Sequence, residues 1–216
     1  MTTKYFGVSL RQPEDQLKLR RDNYLCKKKD GQYYFKDSWL KNAPERWPER
    51  EQQCLQNFDL NMLFFRSLSH EQFSETVESL QSCYSLREIH DLNAVDGCAG
   101  IYVMVLDNYC QLYVGKTSAP GGIKQRVMAH WNKKMYFDRL IMGSVNNSPI
   151  SIDSFKALDT SRVFVFITKD ERRMDRIERH ILRDIPCEFC SNRTEGGNMK
   201  GGLMEACAKA KFRNLD

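Results

Sequence analysis

The sequence predicts an α+β protein. A small three-stranded antiparallel sheet flanked by helices is expected over residues 96–216, preceded by a mainly helical region with one β-hairpin over residues 1–95. Three observations carry this expectation. Residues 98–116, "CAGIYVMVLDNYCQLYVGK", run as an apolar strand, a polar turn and a second strand closed by Gly115. Residues 162–168, "RVFVFIT", supply a third β-rich run. Two later segments repeat apolar residues at helical spacing.

The elements follow in chain order. "NYLCKKKDGQYYFKD" places two strand-like runs around Asp30-Gly31, a hairpin signal. "KNAPERWPERE" reads as a proline-broken connection, and "CLQNFDLNMLFFRSL" as a buried helix. The next helix opens with Ser69 and Gln72 in capping-box spacing, and Phe73, Val77, Leu80 and Tyr84 share one of its faces. "NAVDG" marks the boundary between the two regions. Residues 100–106 and 111–115 form the hairpin, and a Pro120-Gly121-Gly122 loop leads into a helix over "GGIKQRVMAHWNKKM". Residues 135–160 read as irregular. A second helix, "DERRMDRIERHILRDI", stops at Pro186. "EGGNMKGG" reads as a loop and "LMEACAKAKF" as a last short helix.

Composition narrows the classes. No apolar run reaches the length of a membrane span, and the N-terminus lacks the pattern of a signal peptide, so an intracellular, cytoplasmic protein is expected. Eight cysteines without framework spacing point to reduced thiols. Residues 1–95 hold fourteen Lys+Arg against fourteen Asp+Glu, and residues 96–216 hold nineteen against fourteen. The whole +5 excess therefore belongs to the part that begins at the hairpin. It is compatible with a polyanion partner without requiring one.

One carboxylate is out of place. Met174, Ile177, Ile181, Leu182 and Ile185 form an apolar stripe, and Glu178 falls inside it. An unpaired buried carboxylate costs several kcal/mol, so Glu178 should have a partner. A structural salt bridge with an arginine, or a side chain reaching past the stripe edge, is the plain reading; a metal ligand or catalytic acid is the sharper one. The opposite face carries Arg172, Arg176, Arg179 and Arg183, either a solvated face or a track for phosphates. On the preceding helix Arg126 and His130 are four residues apart and face the same way, with Lys124 nearby. Cations, a histidine, two tyrosines and an acid suit phosphoryl chemistry.

Gly100-Ile101-Tyr102 and Tyr113-Val114-Gly115 resemble the paired signature of the GIY-YIG nuclease family, and the residues after them fall on further family positions. Lys116 follows the second triplet, Arg126 and His130 match the arginine and the residue one turn on, Glu178 matches the metal-binding glutamate, and Asn192 matches the asparagine after a proline, with Asn198 as rival. The resemblance covers roughly residues 97–200 and leaves the first 95 unmatched. It implies a DNA endonuclease that hydrolyses phosphodiesters with one Mg²⁺ or Mn²⁺ per site, giving 5′-phosphate and 3′-hydroxyl ends. Glu178 would bind the metal. Tyr102 would be the base for water, helped by Lys116 as the nearby cation. Arg126 would bind the scissile phosphate, His130 and Tyr113 would orient water or phosphate, and Asn192 would brace the backbone. Lys116, Lys124, Arg126, Arg172 and Arg176 would meet nucleic acid.

The alternatives stay open at this level. Tyr102 and Tyr113 could be a cross-strand aromatic pair. Cys187 and Cys190, with His180 and Cys207, could hold zinc, although a single CxxC more often marks ordinary thiols. A compact chain with its extra mass before the module favours a restriction or defence nuclease acting as a homo-oligomer, over repair, mobile-element or toxin-like roles. A non-catalytic DNA-binding protein with a decayed module is the remaining class. "CKKKDGQYYFKDSWLK" could contact DNA or be an exposed hairpin.

Overall fold

The computed structural model describes residues 3–28, 30–34, 38–133, 140, 144–146, 148–192, 194–195 and 198–199. It is an α+β structure. The central sheet contains β3 (Arg87–Ile89), β4 (Gly100–Leu106), β5 (Gln111–Thr117) and β6 (Arg162–Ile167), all antiparallel, in the order β3-β6-β4-β5. The predicted hairpin and third strand are there. The fourth strand corrects the expected three-stranded sheet. Three residues of β3, between a helix and the expected boundary, are too short to show periodicity.

Strand β4 lies inside the sheet and all seven of its residues are buried. Side chains alternate between faces along a strand. Tyr102, Met104 and Leu106 enter one apolar cluster, and Ile101, Val103 and Val105 enter the other. The first cluster is closed by α4 (Gly122–Trp131), which contributes Ile123, Val127 and Trp131, and by α2 (Trp47–Arg66), which contributes Phe58, Phe64 and Phe65. The second is closed by α5 (Glu171–Asp184), through Met174, Ile181 and Leu182, and by α3 (His70–Cys83), through Phe73, Val77 and Leu80. Ser69 caps α3 by accepting the Gln72 N–H, as its spacing predicts.

Residues before 95 are built into this core. The amides of Asn57 and Asn61, buried on α2, donate to the Ser148 carbonyl at 2.9 and 3.1 Å, and the Asn61 side-chain oxygen accepts the Ile150 N–H at 3.1 Å. Buried Asp159 accepts the Leu19 N–H at 2.8 Å and the Tyr109 hydroxyl at 2.8 Å. These bonds satisfy polar groups that would otherwise be costly to bury. The segment 148–160 is therefore fixed by side chains rather than by regular structure, with 3-10 turns at Ile152–Ser154 and Ala157–Asp159.

The N-terminal half departs from expectation in detail. A hairpin of β1 (Thr3–Tyr5) and β2 (Val8–Leu10) turns at Phe6-Gly7, both at positive φ. The hairpin expected around Asp30-Gly31 reduces, in its described part, to one bridge between Lys27 and Tyr33. Pro48 does not break the chain there: it sits in the first turn of α2, where a proline lacks no needed N–H, so the helix starts at Trp47. A four-residue helix, α1 (Ser38–Lys41), precedes it. The loop expected at 195–202 contains part of a small hairpin, β7 (Thr194–Glu195) with β8 (Asn198–Met199). The helix expected at 203–212, with Cys207, lies outside the described residues. Among the described residues no helix is long and apolar enough to cross a membrane.

Candidate active site

The triplets of β4 and β5 are one packed unit. Tyr102 pairs with Gly115 across the hairpin, and a Cβ on Gly115 would overlap the Tyr102 phenol. At Gly100, with φ +154°, a Cβ would overlap the Phe166 carbonyl of β6. Both glycines are thus required by close approach.

On the α4 face the Tyr102 hydroxyl hydrogen-bonds His130 Nε2 at 2.9 Å. His130 is 7% exposed and Tyr102 0%. The His130 ring lies edge-on to Tyr113, with centroids 4.8 Å apart. Its Nδ1 hydrogen-bonds Asp153 Oδ1 at 2.6 Å. Arg126, one turn before His130 on α4, is exposed. Burial pushes the Tyr102 pKa up to about 12, against the pull of the Arg126 guanidinium and the Tyr113 hydroxyl. Burial also raises the Tyr113 pKa, with smaller contributions from Tyr102, Asp153 and Glu178 in the same direction.

On the α5 face the buried Glu178 has its partner, and it is a lysine. Lys116 Nζ donates to Glu178 Oε2 and to Asp175 Oδ1, each at 2.6 Å. Burial works against the Lys116 charge, yet the two carboxylates carry its pKa above the ordinary value. The Lys116 ammonium in turn lowers the Asp175 pKa. Glu178 Oε1 carries no hydrogen bond among the described residues. One buried carboxylate with a spare oxygen, and a second from Asp175, fits a hard divalent cation. Mg²⁺ takes one or two carboxylates and fills its remaining positions with water and phosphate oxygens.

Two expectations change here. Lys116 does not stand beside Tyr102: β5 alternation sends Tyr113 and Gly115 toward α4 and Lys116 toward α5, so the cation acting on Tyr102 is Arg126. Glu178 hydrogen-bonds neither tyrosine, and its charge reaches Tyr113 only through space. The site has two halves, one on each side of β5.

Asn192 holds β5 between them. Its side-chain oxygen accepts the Val114 N–H at 2.8 Å and its amide donates to the Val114 carbonyl at 2.7 Å. Ser191 N–H donates to the Leu112 carbonyl at 2.8 Å, and Leu112 forms a parallel bridge with Cys190. Asn198 lies in β8. Lys124 pairs with Asp96 at 2.7 Å and takes no part in the cluster. Arg172 and Arg176 are exposed on α5, without a charged partner among the described residues. Cys190 is fully buried and His180 exposed, and no group of three or more metal-binding side chains occurs among the described residues.

Sequence reasoning missed Asp153 and Asp175. Asp175 was findable: it precedes Glu178 by three residues and so shares its helix face. Asp153 sits in an irregular stretch with no periodic signal. No protein-family model, no curated protein and no solved structure matches the chain.

Proposed function

We propose that the protein is a metal-dependent endonuclease that hydrolyses phosphodiester bonds in DNA in the manner of the GIY-YIG nucleases its site residues resemble. The observation that carries this reading is the pairing across one strand. A buried Tyr102–His130 hydrogen bond beside Arg126 lies on one face of β5, and a buried Glu178 with an unused carboxylate oxygen lies on the other.

The chain's residues divide the work. With a pKa near 12, roughly one Tyr102 in 10⁵ is ionised at neutral pH. Free phenolate is too scarce to be the base. The phenol instead passes its proton to His130 Nε2 as it takes one from the attacking water. Arg126, exposed beside the pair, binds the scissile phosphate and stabilises its developing charge. Lys116 pairs with the buried Glu178 carboxylate and holds it in place. Mg²⁺ or Mn²⁺ bound by Glu178 would supply positive charge to the departing oxygen. Asn192 keeps β5 in place so that Tyr113 and Lys116 hold their faces. The exposed Arg172 and Arg176 suit contacts with the DNA backbone.

Restriction or defence is the favoured role, with the enzyme cutting both strands as a homo-oligomer. The decisive experiment is plasmid cleavage with Mg²⁺ or Mn²⁺ by wild type and Glu178→Ala. Cleavage by wild type alone supports the reading. A wild type inert on varied DNA and RNA overturns it and leaves a binding protein; equal cleavage by both proteins overturns the site. Sequencing the ends cut from a random DNA library tests the role: a shared short motif supports restriction, and scattered or branch-limited ends favour repair or a toxin-like role.

A further inference from the structure

We propose that Asp153 is a positioning residue for the Tyr102–His130 pair, its carboxylate holding the imidazole as the tautomer whose bare Nε2 faces the Tyr102 hydroxyl. The catalytic consequence rests on the nuclease reading; the tautomer does not.

The geometry makes the assignment. A neutral imidazole donates from one ring nitrogen and accepts at the other. Asp153 Oδ1 lies 2.6 Å from Nδ1, and an ionised carboxylate can only accept, so Nδ1 carries the hydrogen. Nε2 is then bare and accepts from the Tyr102 hydroxyl 2.9 Å away. With the opposite tautomer, Nε2 would donate to Tyr102, Nδ1 would face a carboxylate lone pair to lone pair, and the phenol could not hand its proton to the ring. The groups facing His130 among the described residues are Tyr102 from β4, Tyr113 from β5, Arg126 from α4 and Asp153 from the turn Ile152–Ser154. Asp153 is the acceptor at Nδ1.

Asp153 is also held in place. Ser151 caps its turn, accepting the Asp153 N–H on its hydroxyl at 3.3 Å, and the Ser154 N–H donates to the Ser151 carbonyl at 2.9 Å. The flanking Ile152 and Ser154 are buried at 5% and 2% exposure. A carboxylate seated this way orients the ring and stabilises the imidazolium formed during the reaction. The proton count closes. The water O–H breaks and its proton moves to the Tyr102 oxygen, while the Tyr102 O–H breaks and its proton moves to Nε2. The water oxygen forms the new bond to phosphorus as the P–O bond to the leaving oxygen breaks. The leaving oxygen takes a proton from solvent to become the hydroxyl, and the imidazolium, paired with Asp153, later returns its proton to solvent. The Asp153 charge itself opposes free phenolate at Tyr102, so the phenol gives up its proton only as another arrives.

The test is nitrogen NMR of the imidazoles in full-length protein labelled with ¹⁵N-histidine, assigned by loss of one signal in His130→Gln, with and without Asp153→Asn. The expected wild-type spectrum at mildly alkaline pH shows His130 protonated at Nδ1 and bare at Nε2, and Asp153→Asn shifts it toward the Nε2–H form. An Nε2–H tautomer in wild type overturns the proposal without any variant or substrate. In kinetics, Asp153→Asn is expected to lower kcat by about 10²-fold or more with little change in KM. Asp153→Glu recovers part of the rate. An unchanged tautomer in Asp153→Asn overturns the proposal. Inert wild-type protein removes the nuclease reading, while the spectrum still decides the tautomer.

Discussion

On the α4 side of β5, half-buried Tyr113 and Asp153 join buried Tyr102 and His130 in a set whose phenols are held protonated by burial. Three residues along the same strand, Lys116 leaves on the α5 side and meets Glu178 and Asp175, where full charges face one another. The two environments differ because a pleated strand alternates its side chains and each face is covered by a different helix. The α4 side suits moving a proton; the α5 side suits holding a cation. A single strand thus separates the two kinds of chemistry.

That comparison can be broken most directly on the α5 side. Glu178→Ala, or removal of divalent metal by chelation, is expected to reduce DNA cleavage by about 10³-fold or more, measured as single-turnover plasmid nicking. The His130 nitrogen signals should stay where they were. A change in them would mean the halves are not separate. Tyr102→Phe attacks the other side and should cost about 10²–10³-fold in kcat, with DNA binding in Ca²⁺ preserved by gel shift. Retained cleavage would leave Tyr102 as a packing residue.

Stability measurements sharpen the same contrast. Asn192→Ala leaves the buried Val114 N–H and carbonyl without partners and should cost about 2–4 kcal/mol in urea unfolding. Gly115→Ala should cost about 1–3 kcal/mol through overlap with the Tyr102 ring, and Tyr102→Leu in the same chain should recover much of it.

The two faces should also weaken at opposite ends of the pH scale. Tyr102 has a folded pKa near 12, above its ordinary value of 10. The stability it adds is present below pH 10 and is lost as pH rises through 12, on the order of 2–3 kcal/mol. Tyr102→Phe should remove that slope from an alkaline stability titration. Asp175 has a lowered pKa, so its contribution is present above 3.8 and is lost as pH falls through its folded value. Asp175 is half exposed, and its effect should be below about 1 kcal/mol. Asp175→Asn should flatten the acid limb of a thermal-melting series by that small amount.

The sequence made part of this visible. The apolar run at 100–106, the second run at 111–115 and the β-rich run at 162–168 marked the sheet's main strands, and the Glu178 anomaly marked a buried acid needing a partner. Its partner was not visible, because Lys116 and Glu178 are 62 residues apart and meet only once α5 has packed on the sheet. Asp153 was invisible for a related reason: an irregular segment held by Asn57, Asn61 and its own capped turn carries no period to read. Strand β3 needed β6 to exist at all, since its order comes from pairing rather than local propensity. The lysine assigned to Tyr102 went astray by one pleat, which is all that separates the faces.

Asn192 and Ser191 have a consequence beyond bracing. Strand β5 is an outer strand of the sheet, and an outer strand offers its backbone to any other chain. Here the outward groups of Val114 and the Leu112 carbonyl are already taken by residues 191 and 192 of the same chain. The middle of this border is closed to strand addition. Two copies cannot join into one continuous sheet across Leu112 and Val114.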